Sequence, residues 1–176
     1  MKTATTKMKN SMIKNIIKAA IALGTLIGII MIFISIINNP KTPVTADQVW
    51  DILVAQGFEP VDTTQIYKDD WGENGNILKK SVSTQAIDIC FNFFVFDSDK
   101  SAEYVRTLCQ NYIRDNRYSI PNVEFTEGNS NYLIYTLKAN GLYSVVIRVG
   151  NTLIFAYSNE ENSEKINDII LEMEYF

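Results

Sequence analysis

Histidine is absent from all 176 residues. Its absence excludes Ser-His and Cys-His nucleophile pairs, histidine-bound zinc and imidazole acid–base chemistry near neutral pH. An enzyme is thereby made the least favoured class. Cysteine is nearly absent as well, with only Cys90 and Cys109. No C-x-x-C, no G-x-S-x-G and no glycine-rich phosphate loop occurs. Nothing in the chain implies a cofactor or a resident metal.

Acidic residues are missing from the first 40 positions, which carry Lys2, Lys7, Lys9, Lys14 and Lys18 for a charge of +5. Residues 41–176 hold 11 basic and 20 acidic side chains and are −9. So acidic a domain is a poor partner for nucleic acid, which is bound by a positive face.

Residues 19–37 (Ala-Ala-Ile-Ala-Leu-Gly-Thr-Leu-Ile-Gly-Ile-Ile-Met-Ile-Phe-Ile-Ser-Ile-Ile) contain no charge over 19 positions. At about 1.5 Å per residue a helix of this length spans the hydrocarbon layer of a bilayer, about 30 Å thick. The run predicts a transmembrane helix. Residues 1–18 then form a cytoplasmic lysine-rich tail, and the positive-inside bias places residues 45–176 outside the cell membrane. A cleaved signal peptide is the rival reading. Its apolar core is usually shorter and ends in small residues, whereas this run ends Ser-Ile-Ile-Asn-Asn-Pro. Gly24 and Gly28 have the spacing that lets two membrane helices approach closely, although glycine is common in such helices anyway.

After the anchor, residues 38–44 with Pro40 and Pro43 read as a stiff linker. Thr45-Ala46-Asp47-Gln48 has the form of a capping box, and Val49, Ile52 and Leu53 follow one stripe, so a helix is expected over 46–56 with Gly57 as its stop. A short strand is expected over 58–61 and a turn-rich loop over 62–80. Asp70, Glu73 and the neighbouring asparagines and glycines raise calcium as a ligand. The EF-hand spacing fails, because the third position would be Gly72 and the twelfth Ser81. The adjacent carboxylates Asp69/Asp70 and Glu160/Glu161 are weak evidence for acid–base work, and the second pair suits a helix start.

Residues 85–96 alternate Ile87, Ile89, Phe91, Phe93 and Val95 onto one face, the pattern of a long strand. A helix is expected from 97–100 through Arg114, with Ala102, Val105, Leu108, Cys109, Tyr112 and Ile113 at helical spacing. Packing of that helix on the Phe91/Phe93 face would leave Cys90 on the opposite face, which argues against a disulfide. Strands over 132–138, 142–149 and 152–157 are joined by Asn140-Gly141 and Gly150-Asn151 as a meander. Ser158-Asn159-Glu160-Glu161 reads as a capping box for a last helix carrying Ile166, Ile169, Ile170 and Met173.

The expected class is α+β: an antiparallel-rich sheet with helices packed mainly on one face. Leu133, Tyr135, Leu137, Tyr143, Val145, Ile147, Val149, Leu153, Phe155 and Tyr157 are taken as the inner face. Tyr132, Ile134, Val146, Arg148 and Ile154 then make an outer apolar patch suited to a protein partner or a second copy, unless another segment covers it. The second functional expectation is a small-ligand site between the sheet and residues 62–80, walled by Tyr67 and Trp71.

The lysine-rich start, the single apolar run, Thr45-Ala46-Asp47 with Gly57-Phe58, and the Tyr143–Ile154 stretch together resemble uncharacterised small single-pass proteins of low-GC Gram-positive bacteria. The resemblance implies a cell-surface domain held by one membrane helix, and supplies no active residues.

Overall fold

The structure is a computed structural model that describes residues 40–71, 77–116 and 123–176. The expected transmembrane helix with Gly24 and Gly28, the lysine-rich tail and residues 72–76 of the expected loop lie outside the described residues. Among the described residues no helix is long and apolar enough to cross a membrane. Pro40–Phe176 forms one compact unit.

Helix α1 spans Ala46–Ala55, and its capping box is present. Thr45 Oγ1 accepts from Gln48 N at 3.2 Å, and Gln48 Oε1 accepts from Thr45 N at 2.8 Å. Gly57 ends the turn at φ +80°, a left-handed conformation that glycine adopts without strain. Strand β1 is only Val61–Asp62. It is followed by a helix, α2, over Thr64–Trp71 where a loop was expected. Asp62 starts α2: its Oδ1 accepts from Thr64 N at 2.9 Å while Oδ2 pairs with Lys80 Nζ at 2.7 Å. With its polar composition the segment lacks a strong helical stripe, so tertiary packing supplies the signal that periodicity does not.

Strands β2 (Leu78–Ala86) and β3 (Ile89–Phe96) replace the single strand expected over 85–96. The chain reverses at Ile87–Asp88, with Asp88 at φ 64° and Ile87 90% exposed. Ile87 therefore belongs to a turn, while Ile89, Phe91, Phe93 and Val95 keep the alternation. Helix α3 spans Asp99–Asn116; Ser98 Oγ accepts from Ser101 N at 3.2 Å at its start. Strands β4 (Val123–Gly128), β5 (Tyr132–Ala139), β6 (Leu142–Val149) and β7 (Thr152–Asn159) complete an antiparallel sheet of order β1-β2-β3-β7-β6-β5-β4. A single 3₁₀ turn, Glu160–Asn162, leads into α4 over Ser163–Glu172. The expected capping box at 158 is not used. Ser158 is the strand partner of Ile89 and Tyr143, and that pairing carries β7 on to Asn159.

Register decides what each face holds. Two-residue turns pair Ala139 with Leu142 and Val149 with Thr152. Odd positions of β5 thus lie beside even positions of β6, and those beside odd positions of β7. The first face carries Tyr132, Ile134, Tyr143, Val145, Ile147, Val149, Ile154 and Ala156 together with Phe91 and Phe93, and α1 and α4 cover it with Val49, Leu53, Ile166, Ile169 and Ile170. The second carries Tyr135, Leu137, Val146, Leu153 and Phe94, covered by Ala102, Val105, Cys109 and Ile113 of α3.

Two expectations are corrected here. Helices flank both faces, not mainly one, because both faces are apolar. The outer patch does not exist as a surface. Tyr132, Ile134 and Ile154 sit on the first face and Val146 and Arg148 on the second, and all five are buried, at 8% exposure or less.

The stretch before α1 is docked. Tyr175 Oη accepts from Val44 N at 2.8 Å and meets Thr152 Oγ1 at 3.1 Å. Pro43 Cγ lies 2.8 Å from the point where a side chain on Gly150 would begin, and Gly150 has φ +53°. Gly150→Ala should therefore be strained twice over, and a fall in Tm of several degrees is expected by calorimetry, equivalent to about 1–2 kcal/mol.

Candidate functional site: an aromatic cleft between two helices

Helix α2 lies over β2 and α3 lies over β6, β7 and β3 on the second face. Between them a cleft of about 420 Å³ opens onto β3 and β7. Its floor is made of cross-strand neighbours: Cys90 beside Tyr157 and Asn92 beside Phe155. Tyr67 of α2 forms part of one wall, and Tyr104, Leu108 and Tyr112 of α3 line the other. These three lie at i, i+4 and i+8, one ridge of the helix, and are 41%, 46% and 57% exposed. Tyr112 meets Phe155 edge-on at 6.2 Å, and Tyr67 meets Phe94 edge-on at 5.1 Å, geometry that aromatic quadrupoles favour.

Asn92 organises the floor. It is 5% exposed, so its amide needs partners inside the protein. Its Oδ1 accepts from Ser83 Oγ at 2.8 Å and from Tyr67 Oη at 3.2 Å. Its Nδ2 donates to the Phe155 carbonyl at 3.2 Å and to Cys90 Sγ at 3.3 Å. One side chain thereby links β2, β3, β7 and α2.

An ionic group of two buried arginines and the half-exposed Glu103 fixes α3 on the other side. Glu103 holds Arg106 in a fork, with Nε donating to Oε2 at 3.0 Å and Nη2 to Oε1 at 2.7 Å. Arg148 Nε lies 2.8 Å from the same Oε2, a close ion pair whose N–H is not aligned as a hydrogen bond. The rest of the Arg148 guanidinium donates to the carbonyls of Ser130 (3.2 Å), Asn131 (3.1 Å) and Gly150 (3.3 Å). Arg148 is thus a structural clamp between α3, β6 and two turns, not the rim of an exposed patch.

Of the two residues expected to wall a ligand site, Tyr67 lines this cleft, and the side chain of Trp71 lies outside the described residues. The cysteines correct another expectation. Both line this cleft, because α3 packs on the face that carries Cys90 and not on the Phe91/Phe93 face. Both are free thiols. Burial pushes the Cys109 thiol up to about 12, so it stays protonated and is a weak nucleophile. Asn92, Tyr104, Phe155 and Tyr157 were not singled out from the sequence as site residues. The available signal was the width of the apolar arc on α3, where Tyr104, Leu108 and Tyr112 add a second ridge beside Val105, Cys109 and Ile113. Among the described residues the lining holds no carboxylate, ammonium or guanidinium. Among the described residues no group of three or more cysteine or carboxylate side chains is gathered in a way that would hold a metal ion.

No protein-family model and no curated protein matches the chain. Among solved structures, the crystal structure of a GTP binding regulator from Thermotoga maritima is similar over 76% of this chain and 92% of that chain, at 13% identity and a TM-score of 0.45.

Two predictions follow from the buried groups. Arg148→Met keeps an apolar stem but removes the guanidinium that bonds the buried Gly150 carbonyl and pairs with Glu103, while the Asn131 carbonyl keeps Gly150 N, so urea unfolding should show a loss of about 1–3 kcal/mol. For Cys109 the folded thiol titrates above the unfolded one, so the native state holds the extra proton. Its contribution to stability is complete below about pH 9 and is lost as pH rises toward about 12. Unfolding free energy measured across that window should fall by up to about 1.4 kcal/mol per pH unit from this group, and less steeply in Cys109→Val.

Proposed function

We propose that the domain is a non-enzymatic ligand-binding module of a membrane-anchored protein, with the cleft between α2 and α3 as the site for an uncharged, flat, apolar molecule. The observation that carries this reading is the lining of the cleft: Tyr67, Phe94, Tyr104, Tyr112, Phe155 and Tyr157 around about 420 Å³, with no ionic side chain among the described residues. A charged ligand would lose its hydration there and find no counter-charge. An aromatic or alicyclic ligand would exchange water for ring contacts, and the volume falls in the ordinary range for small-molecule sites. The half-exposed ridge of Tyr104, Leu108 and Tyr112 is apolar surface that such a ligand would cover. With no acid, base or activated nucleophile among the described residues of the lining, binding rather than turnover fits the chemistry.

The lysine-rich start and the uncharged run over residues 19–37 support a single membrane span with the domain outside the cell, as a surface sensor or carrier. The bilayer is then the partner of residues 19–37. Retention in the membrane after alkaline carbonate washing, together with protease access to the domain in intact cells, is the expected result.

For the cleft, the neutral fluorophore N-phenyl-1-naphthylamine is a suitable probe. Saturable binding and a rise in Tm with probe concentration are expected. Leu108→Trp, at the half-exposed rim, should fill the mouth and weaken binding by about tenfold or more while leaving the circular dichroism unchanged. Equal binding by that variant and the parent would remove the cleft as the site.

A further inference from the structure

The two edges of the sheet are finished differently. At one edge β1 is only two residues long, Pro60 precedes it, and α2 begins directly against β2. Thr63 N donates to the Ser81 carbonyl at 3.1 Å, and Thr64 Oγ1 accepts from Ser81 N at 2.9 Å, so that edge is occupied. At the other edge β4 pairs with β5 over six residues, from Val123 opposite Lys138 to Gly128 opposite Leu133. All six are exposed. Among the described residues no strand pairs with the outer side of β4.

Such an edge presents a row of unpaired N–H and C=O groups, and natural sheets usually block it with charged side chains, proline or a bulge. Val-Glu-Phe-Thr-Glu-Gly contains no proline, its pairing with β5 runs without a register shift, and its only charges are two glutamates, which repel an acidic strand and attract a basic one. The side chains select what could add. Val123 and Phe125 project on the first face and are 55% and 48% exposed. Glu127 lies on that face too, accepting from Tyr132 Oη at 3.1 Å, and Glu124 lies on the second. The strand offers two carboxylates and no base, within a stretch of net charge −9. A second copy is a poor match. Several antiparallel registers set its glutamates opposite one another, and two strongly acidic domains repel at any register.

We propose that β4 is an acceptor for β-strand addition by an extended, basic segment of a partner protein. The added strand runs antiparallel and places Lys or Arg opposite Glu127 and Glu124, and β-branched residues opposite Phe125 and Val123. Read from its N-terminus it is basic, any residue, apolar, basic, apolar. Main-chain bonds to the free edge supply the affinity, and the charge pairs set register and partner choice.

The test uses a fluorescein-labelled Ser-Lys-Thr-Val-Lys-Val-Ser peptide and the full-length protein in mild detergent. Fluorescence anisotropy should show saturable binding that weakens with added salt. The paired reversal Glu124→Lys and Glu127→Lys should weaken it by about tenfold or more. Amide hydrogen exchange should slow over residues 123–128 on binding, while β6 and β7 exchange alike in parent and variant, which separates lost binding from lost folding. The proposal is overturned by absence of saturable binding, or by equal binding of a peptide with the same residues in the order Ser-Lys-Lys-Thr-Val-Val-Ser. Concentration-dependent protection of residues 123–128 without peptide would also overturn it, by giving the edge to a second copy.

Discussion

The turns Asn140-Gly141 and Gly150-Asn151 each leave two residues between paired strand ends, and much of the architecture depends on that count. With a side-chain period of two, a two-residue loop makes odd positions of one strand neighbours of even positions in the next. Tyr135, Val146 and Phe155 are thereby collected on one face, and Ile134, Ile147 and Ile154 on the other. Both sets are apolar. Neither face can remain in water, so helices are required on each side. Asn140 at φ 55° and Gly141 at φ 72° both take the left-handed conformation such a turn demands. A one-residue change in either loop would exchange the faces of every strand beyond it.

Covering two faces with the four helices of the described residues, only one of them longer than ten residues, leaves gaps, and the aromatic cleft is one of them. On the first face α1 and α4 share the apolar load through Val49, Leu53, Ile166 and Ile170. On the second, α2 and α3 sit at opposite sides of β3, each pinned by a polar group rather than by contact with the other. Asn92 bonds Tyr67 of α2, and the Glu103–Arg148 pair seats α3 on β6. Buried polar contacts of this kind add modest net stability when complete, but they specify position, because a misplaced partner leaves a buried group unsatisfied. The cleft keeps its shape for the same reason.

The sequence patterns were legible where a local device is strong. The Thr45–Gln48 capping box, the helix expected from 97–100 through Arg114 and the meander of β5, β6 and β7 are each read from local sequence. Helix α2 was not, since Asp62, Thr64 and Lys80 meet only after β2 has folded back. The β2–β3 hairpin was missed: its turn fell inside a strand expected over 85–96, because Ile87 continues the apolar alternation by chance and no glycine announces the turn, and residues 78–84 of β2 were not read as strand. Of the cleft, Tyr67 was anticipated. Asn92, Phe155 and Tyr157 were hidden, because nothing local distinguishes a strand residue under a helix from one beside it.

The sequence by itself determined the classes of element at α1, α3, α4, β5, β6 and β7, the separation of charge at position 40, the exclusion of histidine chemistry and the two tight turns, but not α2, β2 or β4. It even contained the parity rule that unites Val146 with Tyr135, since that rule needs only the loop lengths. Tertiary structure decided which helix covers which face, that Cys90 and Cys109 share one cleft, that Arg148 is buried as a clamp, and that β4 is left at an open edge. These depend on contacts between residues far apart in the chain, whose free energies become available only when the sheet has closed in order β1-β2-β3-β7-β6-β5-β4.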